Sequence, residues 1–319
     1  MNVATAYSHD GALLSPGNGF LGSIKLNPLD LPPYTIRLRY KNGETPVFEK
    51  GVGHQVSVQP NVWDLTTILE DDPGDWSELV RDWVDDRYPH LQGVLGANSS
   101  GVTNMSNMFS YCEDLKTMPL FDTSSVTTMQ GMFQWCTSLE QVPLYDTSNV
   151  TDTAWMFLNC HSLVTVPLFN TSKVTYTAGM FFHCVELQKV PLFDMSHVTD
   201  MHEMFAECYS LSEVPLFDTS NVVIMGSAFH SCHSLRTVPL LNTSSIVASD
   251  IRSDFTSVFA FCELVESGAL DLYRQISTQP DTPTDTRHAD AFHDCGINTP
   301  SGYAELQEIP FSYGGLKVP

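Results

Sequence analysis

Six cysteines, Cys112, Cys136, Cys160, Cys184, Cys208 and Cys232, follow one another at intervals of 24 residues without a slip. A strict period between 20 and 50 residues is the mark of a repeat architecture and outranks any local signal. The other columns of the repeat confirm it. Phe109, Phe133, Phe157, Phe181, Phe205 and Phe229 stand three residues before each cysteine, and Leu115, Leu139, Leu163, Leu187, Leu211 and Leu235 three after. Pro119, Pro143, Pro167, Pro191, Pro215 and Pro239 follow, each leading into Leu and then Phe, Tyr or Leu. An Asp or Asn comes next, and Val126, Val150, Val174, Val198, Val222 or Ile246 closes the unit. A unit of this length cannot enclose a core of its own, so its apolar columns are buried only when neighbours stack, about 4.8 Å apart.

Within one unit, the alternation around Val-Pro-Leu suits a short strand, and Met-Phe-x-x-Cys-x-x-Leu has helical or 3₁₀ spacing. Asp-Thr-Ser is turn chemistry, because these side chains hydrogen-bond their own backbone. The expected fold is an α/β repeat, a solenoid of stacked 24-residue units. Proline removes a ladder donor, which places it at a strand start or a bend.

The chain divides into four segments on this reading. Residues 1–33 are Gly- and Pro-rich without periodicity and read as an N-terminal arm, a docking segment. Residues 34–90 form a small β-rich and capping module: Tyr34–Tyr40 alternates like a strand, Asn42-Gly43 is a turn signal, and Pro46–Phe48 and Gln55–Val58 are candidate partners. Trp63, Trp76 and Trp83, amid acidic residues, suggest a short capping helix. Residues 91–250 are the solenoid, in which Leu91 to Val102 fits the Leu-to-Val half of a unit. Counting back one period then puts Asp85 in the phenylalanine column and Tyr88 in the cysteine column. Residues 251–319 form a C-terminal cap with an amphipathic helix over 263–277 and a last Phe-x-x-Cys element at Phe292 to Cys295.

Composition removes several functions. Against 15 basic residues stand 37 acidic ones, a formal charge of −22, which repels polyanions and argues against nucleic acid as a partner. No apolar run is long enough to span a membrane, and the start lacks the basic and apolar regions of a secretory signal. Gly17-x-Gly19-x-x-Gly22 has neither the strand before it nor the helix after it that a dinucleotide fingerprint needs. His202-Glu203 opens like a zinc-protease motif, but Ala206 stands where the second histidine belongs. No nucleophile with a partner and no acid/base pair can be assembled outside the repeat columns. The expectation is a protein that is not an enzyme and uses no cofactor and no metal.

Four sets of residues remain as candidates. The structural ladder Cys112, Cys136, Cys160, Cys184, Cys208 and Cys232 reads as a buried column of thiols rather than disulfides or metal ligands, since parallel side chains disfavour bridging. The Asp/Asn column reads as Asx-turns, because one carboxylate per rung coordinates calcium poorly. His161, His183, His197, His202, His230 and His233 share no column and read as solvated surface histidines. The aromatic column Phe121, Tyr145, Phe169, Phe193 and Phe217 is the candidate binding strip. If strand alternation continues past an inward leucine, these rings face outward as a recognition strip; if the chain turns there, they close the core at a corner, the favoured alternative.

The consensus MFxxCxxLxxVPLFDTSxVTxM, held over residues 102–246, resembles the BspA-like leucine-rich repeat family. The resemblance implies a leucine-rich-repeat-like solenoid used as a binding or display surface on bacteria or on phage particles. A phage-encoded member would be a virion structural protein, a capsid decoration, fibre or tail component. It would contact other virion proteins through its N-terminal region and a host surface protein or glycan through the solenoid, with homo-oligomers possible. The alternative is a bacterial cell-surface adhesin.

Overall fold

The computed structural model describes residues 31, 34–40, 52–55, 62–66, 74–77, 79–80, 90–246, 255–277 and 290–316. Consecutive units stack in parallel. Backbone bridges run from Asp75 to Asn104 and then through Thr128, Asp152, Tyr176 and Asp200 to Ile224, one per unit. The expected columns form the core: Val126, Met129, Met132, Phe133, Cys136 and Leu139 of one rung are all fully buried. Phenylalanine rings of successive rungs stack with centroids 5.4 to 5.7 Å apart from Phe109 to Phe229. The result is a repeat solenoid with one continuous hydrophobic core.

The rungs are not built from the expected strand and helix. Met-Phe-x-x-Cys-x-x-Leu is a chain of tight turns in which Met132, Gln134, Cys136 and Leu139 each donate to a carbonyl three residues back. Two residues per rung, two before and two after the phenylalanine, adopt positive φ: Asn107 and Tyr111, then Gly131 and Trp135, then Trp155 and Asn159. These left-handed residues stop the turns from winding into a helix and release alternate peptide groups to neighbouring rungs. Met129, Gly131, Phe133 and Trp135 donate to the carbonyls of Asp152, Ala154, Met156 and Leu158, at 2.7 to 3.0 Å. The same peptide groups accept from the rung before, since Met105, Asn107, Phe109 and Tyr111 donate to Thr128, Gln130, Met132 and Gln134. Four columns of amides therefore run along this wall, every N–H pointing towards the C-terminal rung.

Around Val-Pro-Leu the expected strand is also missing. Only Thr117 with Gln141 and Thr237 with Ser267 form bridges in that stretch among the described residues. Proline has no N–H to give a ladder, and the chain bends at once instead of extending.

At the N-terminal end, β1 (Thr35–Tyr40), β2 (Val52–Gln55), β3 (Val62–Thr66) and β4 (Leu91–Asn98) form an antiparallel sheet in the order β2-β3-β1-β4. Strand β1 pairs with β3 and β4, not with β2, which corrects the expected pairing with Gln55. Trp63 lies in β3 rather than in a helix. Strand β4 serves two structures: it pairs with β1 and also continues the solenoid columns, with Leu91, Val94 and Ala97 buried one period before Leu115, Met118 and Phe121. The half-unit before it has a different register from the expected one. Val80 donates to the Met108 carbonyl and accepts from the Cys112 thiol, as Phe109 does one rung on, so Val80 holds the phenylalanine column. Asp85 and Tyr88 lie outside the described residues, as does the 1–30 part of the expected arm.

At the C-terminal end the last two rungs replace the Pro-Leu bend with helices. Residues 263–267 belong to a rung, and α1 spans only Ala269–Ser277. It begins after Gly268, whose φ is +99° and whose missing Cβ would sit 2.4 Å from the Val238 carbonyl oxygen. Helix α2 (Pro300–Glu308) starts on Thr299, whose hydroxyl accepts from the Gly302 N–H, with proline in the first turn. Glu305 of α2 accepts from Gly268 N–H and Leu270 N–H, binding the helix pair together at the start of α1.

Candidate recognition surface

The bend after proline decides what the solenoid shows to its surroundings. Tyr145, Phe169, Phe193 and Leu241 each donate their backbone N–H to the carbonyl of the proline two residues earlier, at 2.9 to 3.0 Å. That is a γ-turn with leucine at its apex. The apex side chain is thrown outward and the next one inward. Phe121, Tyr145, Phe169, Phe193 and Phe217 are accordingly 2 to 5 % exposed, and Phe169, Phe193 and Phe217 stack on the core rings of Phe157, Phe181 and Phe205. The rings therefore close the core at a corner, the favoured alternative, and their reading as an exposed binding strip with an inward leucine is corrected. Burial also raises the Tyr145 phenol well above its ordinary pKa.

Sequence reasoning missed the residues that do face out. Leu120, Leu144, Leu168, Leu192, Leu216 and Leu240 are 43 to 66 % exposed and lie in register on six successive rungs. The signal was present in the unbroken Pro-Leu pair, but alternation alone does not tell which member of Leu-Phe turns away.

Most other exposed positions that recur along the stack have an internal task. Asp122, Asp146, Asn170, Asp194, Asp218 and Asn242 each accept the N–H of the serine two residues on, at 3.0 to 3.1 Å. The serine contact holds the Asp146, Asp194 and Asp218 carboxyls below their ordinary pKa. These are Asx-turns, with the side-chain oxygen already committed. Thr127, Thr151, Thr175 and Thr199 donate their hydroxyls to the threonine carbonyl of the rung before, at 3.1 to 3.3 Å. The leucines make no hydrogen bond and fill no core. By contrast Glu140-Gln141, Gln188-Lys189 and Arg236-Thr237, which also lie on this side of the rung, vary freely.

The cysteine ladder is buried throughout, and none of the eight cysteines is in a disulfide. Each thiol has a role: Cys136, Cys160, Cys184, Cys208 and Cys232 donate to the phenylalanine carbonyl of the preceding rung at 3.1 to 3.2 Å. A thiolate could not donate, and burial pushes the pKa of Cys160, Cys184, Cys208, Cys232 and Cys295 up. Such thiols are inert as nucleophiles.

Three of the six candidate histidines are drawn together. His161 and His183 meet edge to face at 4.8 Å, Tyr209 stacks on His233 at 4.9 Å, and Glu207 Oε2 lies 3.8 Å from His183 Nε2 and accepts from the Tyr209 hydroxyl. Burial, with His183 adding to it, holds His161 below the ordinary imidazole range. His197 sits apart beside the Ser196 hydroxyl. Among the described residues no group of three or more His, Cys, Asp or Glu is arranged to hold a metal ion, and no helix is long and apolar enough to cross a membrane.

Stacked rungs with a shared core define a repeat protein. The chain belongs to the family described as Mycoplasma protein of unknown function, DUF285, which matches residues 85–190 and 179–267, and it is a BspA-like leucine-rich repeat protein. A crystal structure of a leucine-rich repeat protein from Eubacterium ventriosum is similar over 47 % of this chain and 42 % of its own, at 24 % identity and a TM-score of 0.32. The chain thus spans less than half of that protein. No curated protein matches.

Proposed function

We propose that this is a non-enzymatic, surface-displayed binding protein whose leucine column is its contact strip for a protein partner. The observation that carries the reading is the persistence of leucine at six exposed apices. The six units act as internal copies of one another. Columns that fill the core or close a turn are held constant by that duty, while exposed columns without one drift. An apex leucine has no such duty, so what keeps it apolar lies outside the molecule. Contiguous exposed apolar surface of this kind marks an interaction site.

A cell-surface adhesin fits this reading better than the virion component expected from the sequence, because the matching family is described from a cellular organism. Antibody-gold labelling of the source culture separates the two: label on the envelope supports the adhesin, and label confined to particles overturns it. The contact strip is tested by retention of the labelled chain on those cells. With Leu144, Leu168, Leu192 and Leu216 all changed to Gln, the melting temperature should hold while retention falls at least about tenfold. Unchanged retention by the folded variant would remove the strip from the account.

A further inference from the structure

On the wall opposite in character to the leucine corner, one exposed aromatic occupies a slot made for it. Trp155 is 44 % exposed, and the positions one rung before and one rung after it are Gly131 and Gly179. Positive φ does not explain these glycines. In the same column Asn107, Trp155, Glu203, Ser227, Ser257 and Asp290 all adopt φ between 53° and 57° with full side chains. Space does explain them. A Cβ on Gly179 would lie 2.4 Å from Trp155 Cδ1 and 2.8 Å from its Nε1, so the indole lies directly over the glycine backbone. A Cβ on Gly131 would lie 2.3 Å from Asn107 Oδ1, so the Asn107 carboxamide fills that place in turn.

The carboxamide is itself oriented. Gln134 Nε2 donates to Asn107 Oδ1 at 2.8 Å and to Ser110 Oγ at 2.9 Å. With those atoms committed, the pair still offers Asn107 Nδ2 as a donor and Gln134 Oε1 as an acceptor. An indole supported from beneath by backbone at the Gly179 rung, with a fixed donor and acceptor two rungs away at Gly131, about 10 Å at the strand spacing, has the composition of a site for two linked polyhydroxylated rings. The electron-rich face attracts the partly positive C–H face of a pyranose, and the amides suit neighbouring hydroxyls. The chain's charge of −22 disfavours sialylated or sulfated rings, which points to a neutral sugar.

We propose that Trp155, with Asn107 and Gln134, forms a site for a neutral glycan of at least two rings, the indole stacking on one pyranose and the amides meeting the hydroxyls of the next. The site is separate from the leucine column, and the variant lacking four apex leucines keeps it.

The test uses the full chain on an array of neutral, sialylated and sulfated oligosaccharides, followed by tryptophan-fluorescence titration with lactose and cellotriose. Neutral sugars should bind in the millimolar range, as single stacking subsites do. Trp155→Ala should weaken binding about tenfold or more, and Trp155→Phe should restore most of it. Gly179→Ala is the more telling variant, because it keeps the tryptophan but lifts it from its bed, and it should also weaken binding. Unfolding curves of each variant check that the rungs stay intact. Absence of any neutral-sugar binding, a preference for the acidic sugars, or binding indifferent to both Trp155→Ala and Gly179→Ala would each overturn the proposal.

Discussion

The wall around Phe181 and the corner around Leu192 belong to the same rung, yet they hold their shape by different means. On the wall, alternate peptide groups bond from rung to rung, and left-handed residues aim them: Gly179 donates to the His202 carbonyl, Phe181 to Met204 and His183 to Ala206. Side chains there are free to vary wherever they are not core, and they do vary: the column holding Tyr111 and Trp135 continues as Asn159, His183, Glu207 and Ser231. At the corner, the γ-turn closes backbone on backbone within one rung, and side chains join the rungs instead: the Thr123, Thr147 and Thr219 hydroxyls donate to the carbonyls of Asp146, Asn170 and Asn242. Here the side chains are uniform instead. Where the backbone fixes the geometry, sequence is released; where it does not, packing must supply order, and packing accounts for the inward Phe193 but not for the outward Leu192.

The largest effect separating wall from corner should be alkaline. The thiols of Cys160, Cys184, Cys208, Cys232 and Cys295 all lie on the wall side with pKa raised by burial above the ordinary thiol range. For a group with a raised folded pKa, stability is complete below the unfolded value and is lost as pH climbs towards the folded one, because only the unfolded chain releases the proton. Each such thiol costs about 1.4 kcal/mol per pH unit above that point. Denaturant midpoints should therefore be flat from neutrality to about pH 8.5 and fall steeply beyond it. A flat profile through pH 10 would show that these thiols ionise in place.

Next in size is the contrast across one peptide bond at the corner. Phe169→Ala empties a stacked core position and should cost about 3–5 kcal/mol. Leu168→Ala, one residue earlier, should change stability by no more than about 0.5 kcal/mol. Equal costs in urea unfolding would mean that the leucine packs on something within the chain. Smaller still, Asp194→Ala removes the acceptor for the Ser196 N–H and hydroxyl and should cost about 1 kcal/mol, read in the same assay.

Much of this was legible before any coordinates. The 24-residue cysteine period sufficed for the stack, the core columns and the buried thiols, because a ladder demands the same residue at the same place. Local structure inside the rung was less legible. Helical spacing at Met-Phe-x-x-Cys is produced here by turns with left-handed residues, and occupants as different as Asn107, Trp155 and Glu203 leave no compositional trace of that backbone. The first rung was misaligned because five more residues separate Val80 from Leu91 than separate Phe109 from Leu115, so counting back a period lands on Asp85. Helix α1 is shorter than its amphipathic pattern, since residues up to Ser267 are claimed by a bridge to Thr237. The corner for the aromatic column was legible from the proline, but the outward leucine was not, because alternation describes a strand and the proline has already ended it. The slot beneath Trp155 depends on residues one rung apart in an exposed column, where periodicity says nothing about how side chains lean.

The orientation of the corner is the claim on which the rest depends, and thiol accessibility reads it directly. The native chain should give no rapidly reacting thiol with an aromatic disulfide reagent, since all eight cysteines are buried. Leu168→Cys should then add a single thiol that reacts at once in the folded protein, whereas Phe169→Cys should stay protected until the chain unfolds. Protection at 168 together with immediate reaction at 169 would turn the corner inside out and leave the recognition strip with the aromatic column.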